Sequence, residues 1–182
     1  VVVDFAEQDG VATWRELAAA ADVVIEDGKP GELDRLGAGY RAVAPRAPGL
    51  IWCAITPFGQ DGPWAEYEAT DMVSLALGGA MMMNGYDPED AEGAPPIRGH
   101  GDQGYLTACH YAVQGILAAL LWRDRTGEGQ FIDCSAHEAI SSTTEVALPY
   151  WFTQRVNVIR QTGRHAAATR TERWLYRAGD GR

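Results

Sequence analysis

The stretch Gly115-Ile-Leu-Ala-Ala-Leu-Leu-Trp-Arg-Asp-Arg-Thr-Gly-Glu-Gly-Gln130, followed by Phe131-Ile-Asp-Cys-Ser135, reads as an apolar helix, a basic helix end, a glycine-bracketed turn and a short buried strand. Basic residues at Arg123 and Arg125 complement the negative end of a helix. Upstream, the same helix extends back to about Gln103. Tyr105, Cys109, Ala112, Val113, Ile116, Leu117, Leu120 and Leu121 recur at the spacing of one buried helical face. Downstream, Ser135-Ala-His-Glu138 is a capping-box pattern that opens a further helix reaching toward Phe152.

The first half of the chain alternates between strand and helix. Val1–Phe5 is a short β-branched run, and Thr13-Trp-Arg-Glu16 is a capping box opening a helix through about Ala21. Asp22–Glu26 reads as a buried strand. Pro30 and Gly37 bracket a short helix, and Leu50–Thr56 is a third strand. This order predicts an α/β fold, a Rossmann-like parallel sheet flanked by helices. Phe58–Tyr67 is rich in glycine and proline and reads as loop. Asp71–Leu77 reads as helix ending at Gly78-Gly79, and Met81–Pro96 as a long irregular connection of the kind that often carries function. Trp174-Leu-Tyr176 reads as core strand or interdomain packing.

The chain has 182 residues, enough for a sizeable core. Fifteen basic against 25 acidic residues give a net charge of −10, which argues against a nucleic-acid surface. The acidity does not exclude a phosphate-bearing small molecule, which needs only a few local donors. Cys53, Cys109 and Cys134 have no metal-ligand spacing and read as buried free thiols, so no metal is expected. The apolar stretch is interrupted by His110, Gln114 and Arg123, so a membrane span is not expected, and the cytoplasm follows by elimination. Both ends read as cut, inside a strand and at a turn, as in a piece of a longer protein.

Two places offer chemistry. In Glu26-Asp-Gly-Lys-Pro-Gly-Glu-Leu-Asp-Arg-Leu-Gly37 a strand ends, a loop carries a Lys, and a short helix carries an Arg. This is an ordinary connection or an anion site made of backbone N–H groups and cations. In Gly99-His-Gly-Asp-Gln-Gly104, Asp102 stands before the long helix, with glycines nearby; it is a helix cap or an accessible carboxylate nucleophile. Among the four histidines only His100, beside Asp102, is worth testing as an acid or base. Asp71, at a helix start, complements the helix dipole on the simplest reading.

The opening stretch, together with Ile55-Thr-Pro-Phe-Gly-Gln-Asp-Gly-Pro-Trp64 and the loop after Glu26, resembles the family III coenzyme A transferases, in the same order along nearly the whole chain. The resemblance implies residues 1–165 as an incomplete CoA-binding large domain and 166–182 as the start of a smaller domain. It implies coenzyme A as substrate, an acyl-CoA and a carboxylic acid as partners, and an interlocked homodimer. Asp27, Gly28, Lys29 and Arg35 would line the CoA site, although Asp27 stands where Asn is common and Gly28 where an aromatic is common. Asp71 would border the active site. Thr70 replaces the histidine that the related racemases use, which argues against a racemase.

The resemblance also implies an aspartate whose carboxylate attacks the thioester, passing CoA through a mixed anhydride and an enzyme-bound thioester. Ungapped matching puts Tyr105 at that position. Either the helix start is shifted by about a turn and Asp102 is the nucleophile, or Asp102 is a cap and the site is degenerate. Ala6 stands where a lysine for CoA is common. Both departures fit a catalytically silent half of a two-part transferase-like protein.

Overall fold

The computed structural model describes residues 2–95, 97–174 and 176–181. Its elements in order are α1 (Gln8–Ala19), β1 (Val23–Glu26), α2 (Glu32–Arg35), α3 (Tyr40–Val43), β2 (Ile51–Thr56), α4 (Asp71–Leu77), α5 (Ala80–Met83), α6 (Gln103–Thr126), β3 (Phe131–Ser135), α7 (Ala136–Thr143) and α8 (Ala147–Gln154). The chain divides into two compact units, Val1–Glu68 with Tyr105–Ala136, and Ala69–Gly104 with His137–Arg182.

The first unit holds a three-stranded parallel sheet in the order β1-β2-β3. β2 is the central strand, and its run Ile51-Trp-Cys-Ala is fully buried, as a strand covered on both faces requires. Ala18, Val24, Val43, Leu50 and Trp52 form the core beside it, with Trp14 and Tyr40 packed around them. The α/β expectation therefore holds. β1 is less buried than expected: it has no partner on its other side among the described residues, and Ile25 is 59% exposed.

The expected strand at Val1–Phe5 is absent among the described residues; Val1 lies outside them. An Asp-centred turn replaces it. The Asp4 carboxylate accepts the Ala6 N–H and its carbonyl accepts the Glu7 N–H. The first helix starts at Gln8, five residues before the expected capping box. Thr13 lies inside it and its hydroxyl donates to the Asp9 carbonyl one turn back.

Arg123 and the two glycines explain the opening motif. Arg123 Nη1 donates to the carbonyls of Asp22 and Gly49. Gly127, at φ 78°, ends α6 by donating to the Arg123 carbonyl. Gly129, in the turn before β3, packs against the segment that enters β2: a Cβ there would meet the Leu50 carbonyl oxygen at 2.0 Å. Gln130 then accepts from Trp52 N, starting the β2–β3 ladder.

α6 has the expected length, but the buried face is a different one. Gly104, Ala108, Ala112 and Ala119 are buried, whereas Val113, Leu117 and Leu121 are more than half exposed. Around Ala108 and Gly115 the cause is close approach to the sheet. Cys134 Sγ donates to the Ala108 carbonyl, and Gly115 lies so near Ile132 that a Cβ would sit 3.3 Å from its Cγ2. Only small side chains fit between. α6 is long and apolar enough to cross a membrane by length and composition. Its seat on β3 accounts for one face of that apolar content as protein interior. Cys109 is exposed on α6, against the expectation of three buried thiols.

In the second unit, α4 matches expectation, but Ala80–Met83 is helix and Pro88–Asp90 a 3-10 turn where an irregular connection was expected; Pro96 lies outside the described residues. The helix expected to run to Phe152 breaks after Thr143. Ser141, Ser142, Thr143 and Thr144 all turn their hydroxyls onto carbonyls three or four residues back, which weakens the helical ladder. Trp174 and Tyr176 are 61% and 73% exposed and form no core strand; Leu175 lies outside the described residues.

Candidate functional site

In a parallel sheet, ligands bind beyond the carboxyl ends of the strands. At that edge of the first unit lie the loop after β1, carrying Asp27, Gly28 and Lys29, and the loop after β2. Asp27, Gly28, Lys29 and Arg35 are all exposed. Lys29 Nζ donates to Glu68 Oε1 at 2.7 Å, which raises the lysine above its ordinary value and lowers the glutamate. Arg35 Nη1 donates to the Pro30 carbonyl at 3.3 Å, folding the guanidinium back onto the loop.

The loop's backbone donors are largely committed. Lys29 N–H goes to Glu32 Oε2 and Gly31 N–H to Gln60 Oε1, each at 3.2 Å. α2 spans only four residues and carries Glu32 and Asp34 in its first turn. An anion here therefore meets the two cations rather than a row of free N–H groups. Glu26, at the end of β1, is half-buried. Burial pushes its carboxyl above the usual range, partly offset by the hydrogen bond from Trp52 Nε1 at 2.9 Å.

Of the other predicted residues, Asp71, His100 and Asp102 belong to the second unit and Tyr105 to the first. Asp71 opens α4 with 4% exposure. Its carboxylate lies against the start of α6: a Cβ on Gly104 would be 2.8 Å from Asp71 Oδ1 and 3.0 Å from Ile140 Cδ1. Thr70, before it, is exposed. Asp102 stands in a bend directly before α6 and is exposed. Next to it, Gln103 Nε2 donates to the His100 carbonyl at 3.0 Å. His100 is exposed, and Tyr105 is 39% exposed.

Sequence reasoning missed the groups that hold these loops. Gln60 N–H donates to Asp133 Oδ2 at 2.9 Å, from a partner 73 residues away. Within the second unit, Asp87 and Arg164 form a buried ion pair at 2.9 Å, flanked by Arg170 and Arg173, and Arg170 bonds Glu89. This pins the acidic segment that the sequence left as irregular. A cavity of about 390 Å³ adjoins it, lined by Asn84, Glu145, Arg164, His165 and Trp174 among others. No cluster of three or more His, Cys, Asp or Glu able to hold a metal occurs among the described residues.

Comparison with known proteins adds the family. The profile described as CoA-transferase family III matches residues 1–182. The chain is 35% identical over 149 residues to the Thauera aromatica protein named succinyl-CoA:(R)-benzylsuccinate CoA-transferase subunit BbsE, covering 82% of this chain and 35% of that one. It is 36% identical over 156 residues to succinyl-CoA:glutarate CoA-transferase of Mus musculus, covering 85% and 35%. The crystal structure of a CAIB/BAIF family protein from Brucella suis superposes with a TM-score of 0.81 at 32% identity, covering 88% of this chain and 41% of that one. The chain thus spans about a third of the length of the curated relatives it matches.

Proposed function

Because this chain belongs to CoA-transferase family III, we propose that the protein containing it moves coenzyme A between carboxylic acids, with Asp102 as the attacking carboxylate. The observation that supports this role is the setting of Asp102: exposed and directly before α6, beside Gly101 at a left-handed φ of 70°. A nucleophile must be accessible to a thioester carbonyl, and an exposed carboxylate meets that need. Attack would form the acyl–aspartyl anhydride and release the CoA thiolate. Return of that thiolate to the aspartyl carbonyl would expel the donor carboxylate and make an enzyme thioester. The acceptor carboxylate would attack this, and the released thiolate would take up the acceptor acyl group and free Asp102. Lys29 and Arg35 would contact CoA phosphates, with Asp27 and Gly28 lining the same loop and Asp71 bordering the reacting centre.

The exposed Leu117, Leu121 and Val113 on α6 support assembly as a homodimer, in which a partner chain covers this face. Residues 1–165 would then form most of a large domain and 166–182 the start of a smaller one. Three free cysteines favour a reducing compartment, and we place the protein in the cytoplasm.

A second reading rests on Tyr105, which occupies the ungapped family position of the nucleophile and cannot form an anhydride. In it, the chain is a CoA-binding half whose catalytic aspartate lies in another half. Asp102→Asn in the full-length protein separates the two. The nucleophile reading expects turnover to fall by on the order of a thousandfold or more with an unchanged melting temperature. It also expects hydroxylamine to trap a hydroxamate at Asp102 in the wild type after incubation with acyl-CoA. Retained turnover would transfer catalysis to another chain segment and leave the CoA-binding half as the function.

A further inference from the structure

We infer that Gln60 is a positioning residue for the anion-contacting loop Asp27–Gly31, held in place by Asp133. This inference rests on the reading of that loop as the CoA site. The loop carries glycines at 28 and 31, and Gly31 has a left-handed φ of 66°. Such a segment has many accessible conformations, and ordering it on ligand binding costs free energy.

The structure supplies a strut against this cost. Gly31 donates its N–H to Gln60 Oε1 at 3.2 Å, and Gln60 donates its own N–H to Asp133 Oδ2 at 2.9 Å. The two bonds join the loop after β1, the loop after β2 and strand β3, so they span the full width of the sheet. Asp133 is a rigid anchor because it lies within β3, in register with Ala54 of the central strand. The β2 loop is seated by two further features. Gly59 donates to the buried Thr56 hydroxyl at 2.9 Å, and a Cβ at Gly59 would lie 3.4 Å from Asp133 Oδ2. The backbone therefore sits directly on that carboxylate, and Gln60 is aimed at Gly31.

Gln60 needs no contact with CoA to act. By bonding the Gly31 N–H it removes one freedom from the loop that presents Lys29, so the bound geometry exists before binding. Asp133 acts one step further back, through Gln60.

The test uses the full-length protein, with CoA binding measured by calorimetry and Gly31 amide exchange measured without ligand. Gln60→Ala and Asp133→Ala should each weaken CoA binding by about five- to tenfold and expose the Gly31 amide. The double variant should be no weaker than either single one, because both break the same strut. Asp133→Asn retains an acceptor oxygen and should bind within about twofold of wild type, which separates the bond from the charge. Lys29→Ala with Arg35→Ala serves as the independent check on the CoA site. If that pair weakens binding while Gln60→Ala does not, the strut is overturned and the CoA-site reading stands. Additive losses in the double variant, or an unchanged Gly31 amide, overturn it as well. If the cation pair leaves affinity unchanged, the CoA-site reading and the strut fall together.

Discussion

Lys29 Nζ and Glu68 Oε1 lie 2.7 Å apart, so the cation proposed to meet a phosphate already holds a carboxylate. If Lys29 contacts CoA as proposed, the phosphate displaces Glu68 or shares the ammonium with it. The pair is exposed, and such pairs contribute little each.

Glu68→Gln should therefore tighten CoA binding by a modest factor, about two- to fivefold, with the gain shrinking as salt rises. Titration calorimetry at two ionic strengths checks this. Weaker binding in the variant would mean that Glu68 orients Lys29 rather than competing for it.

Gly129 is constrained by backbone, since its missing Cβ would meet Leu50 O at 2.0 Å, Leu50 C at 2.5 Å and Gly49 C at 2.6 Å. No side-chain rearrangement relieves that clash. Gly129→Ala should destabilise the protein by about 3 kcal/mol. Gly179, with nothing within 4 Å, is the control, and Gly179→Ala should stay within about 0.5 kcal/mol. Urea denaturation of both variants decides.

Glu26 should make stability fall as pH rises. Burial, the largest influence, raises its folded-state carboxyl above the ordinary value, so the folded chain binds the proton more tightly than the unfolded chain. Its contribution is fully present below the unfolded pKa and is lost as pH rises through the folded one. Glu26→Gln keeps an acceptor for Trp52 Nε1 and removes the ionisation. The variant should gain over wild type at pH 7 and lose that advantage near pH 4. Because the group is half exposed, the difference should stay below about 1 kcal/mol. Thermal melts at the two pH values measure it.

Cys53 is fully buried in the central strand, and burial pushes its thiol up to about 11. At pH 8 it is almost entirely protonated and shielded. A thiol reagent should leave Cys53 and the buried Cys134 unmodified in the native protein and modify both after denaturation. Native labelling at Cys53, located by peptide mass spectrometry, would show that the sheet opens on the timescale of the reaction.

The α/β class was legible because its signals are local. The apolar run of β2 needs no partner to be recognised, and the Arg123–Gly127–Gly129 punctuation marks the end of α6 and the entry to β3. The candidate loop was legible for the same reason, since Lys29 and Arg35 follow a strand end in order. Errors arose where two local preferences competed. Asp4 formed a turn against a β-branched run, and the hydroxyls of Ser141–Thr144 interrupted a helix whose apolar pattern continued.

The sequence by itself determined the family, the order of strand and helix along most of the chain, and the identities of the candidate carboxylates and cations. Only the tertiary structure decided which face of α6 meets the sheet, because that depends on how closely two elements approach, and Gly115 against Ile132 leaves no room for leucine. It alone decided that Lys29 bonds Glu68, that Gln60 bonds Asp133, and that Asp87 meets Arg164. Those partners lie 39, 73 and 77 residues apart. Their pairing follows from the folded path of the backbone, which no local pattern of residue types encodes.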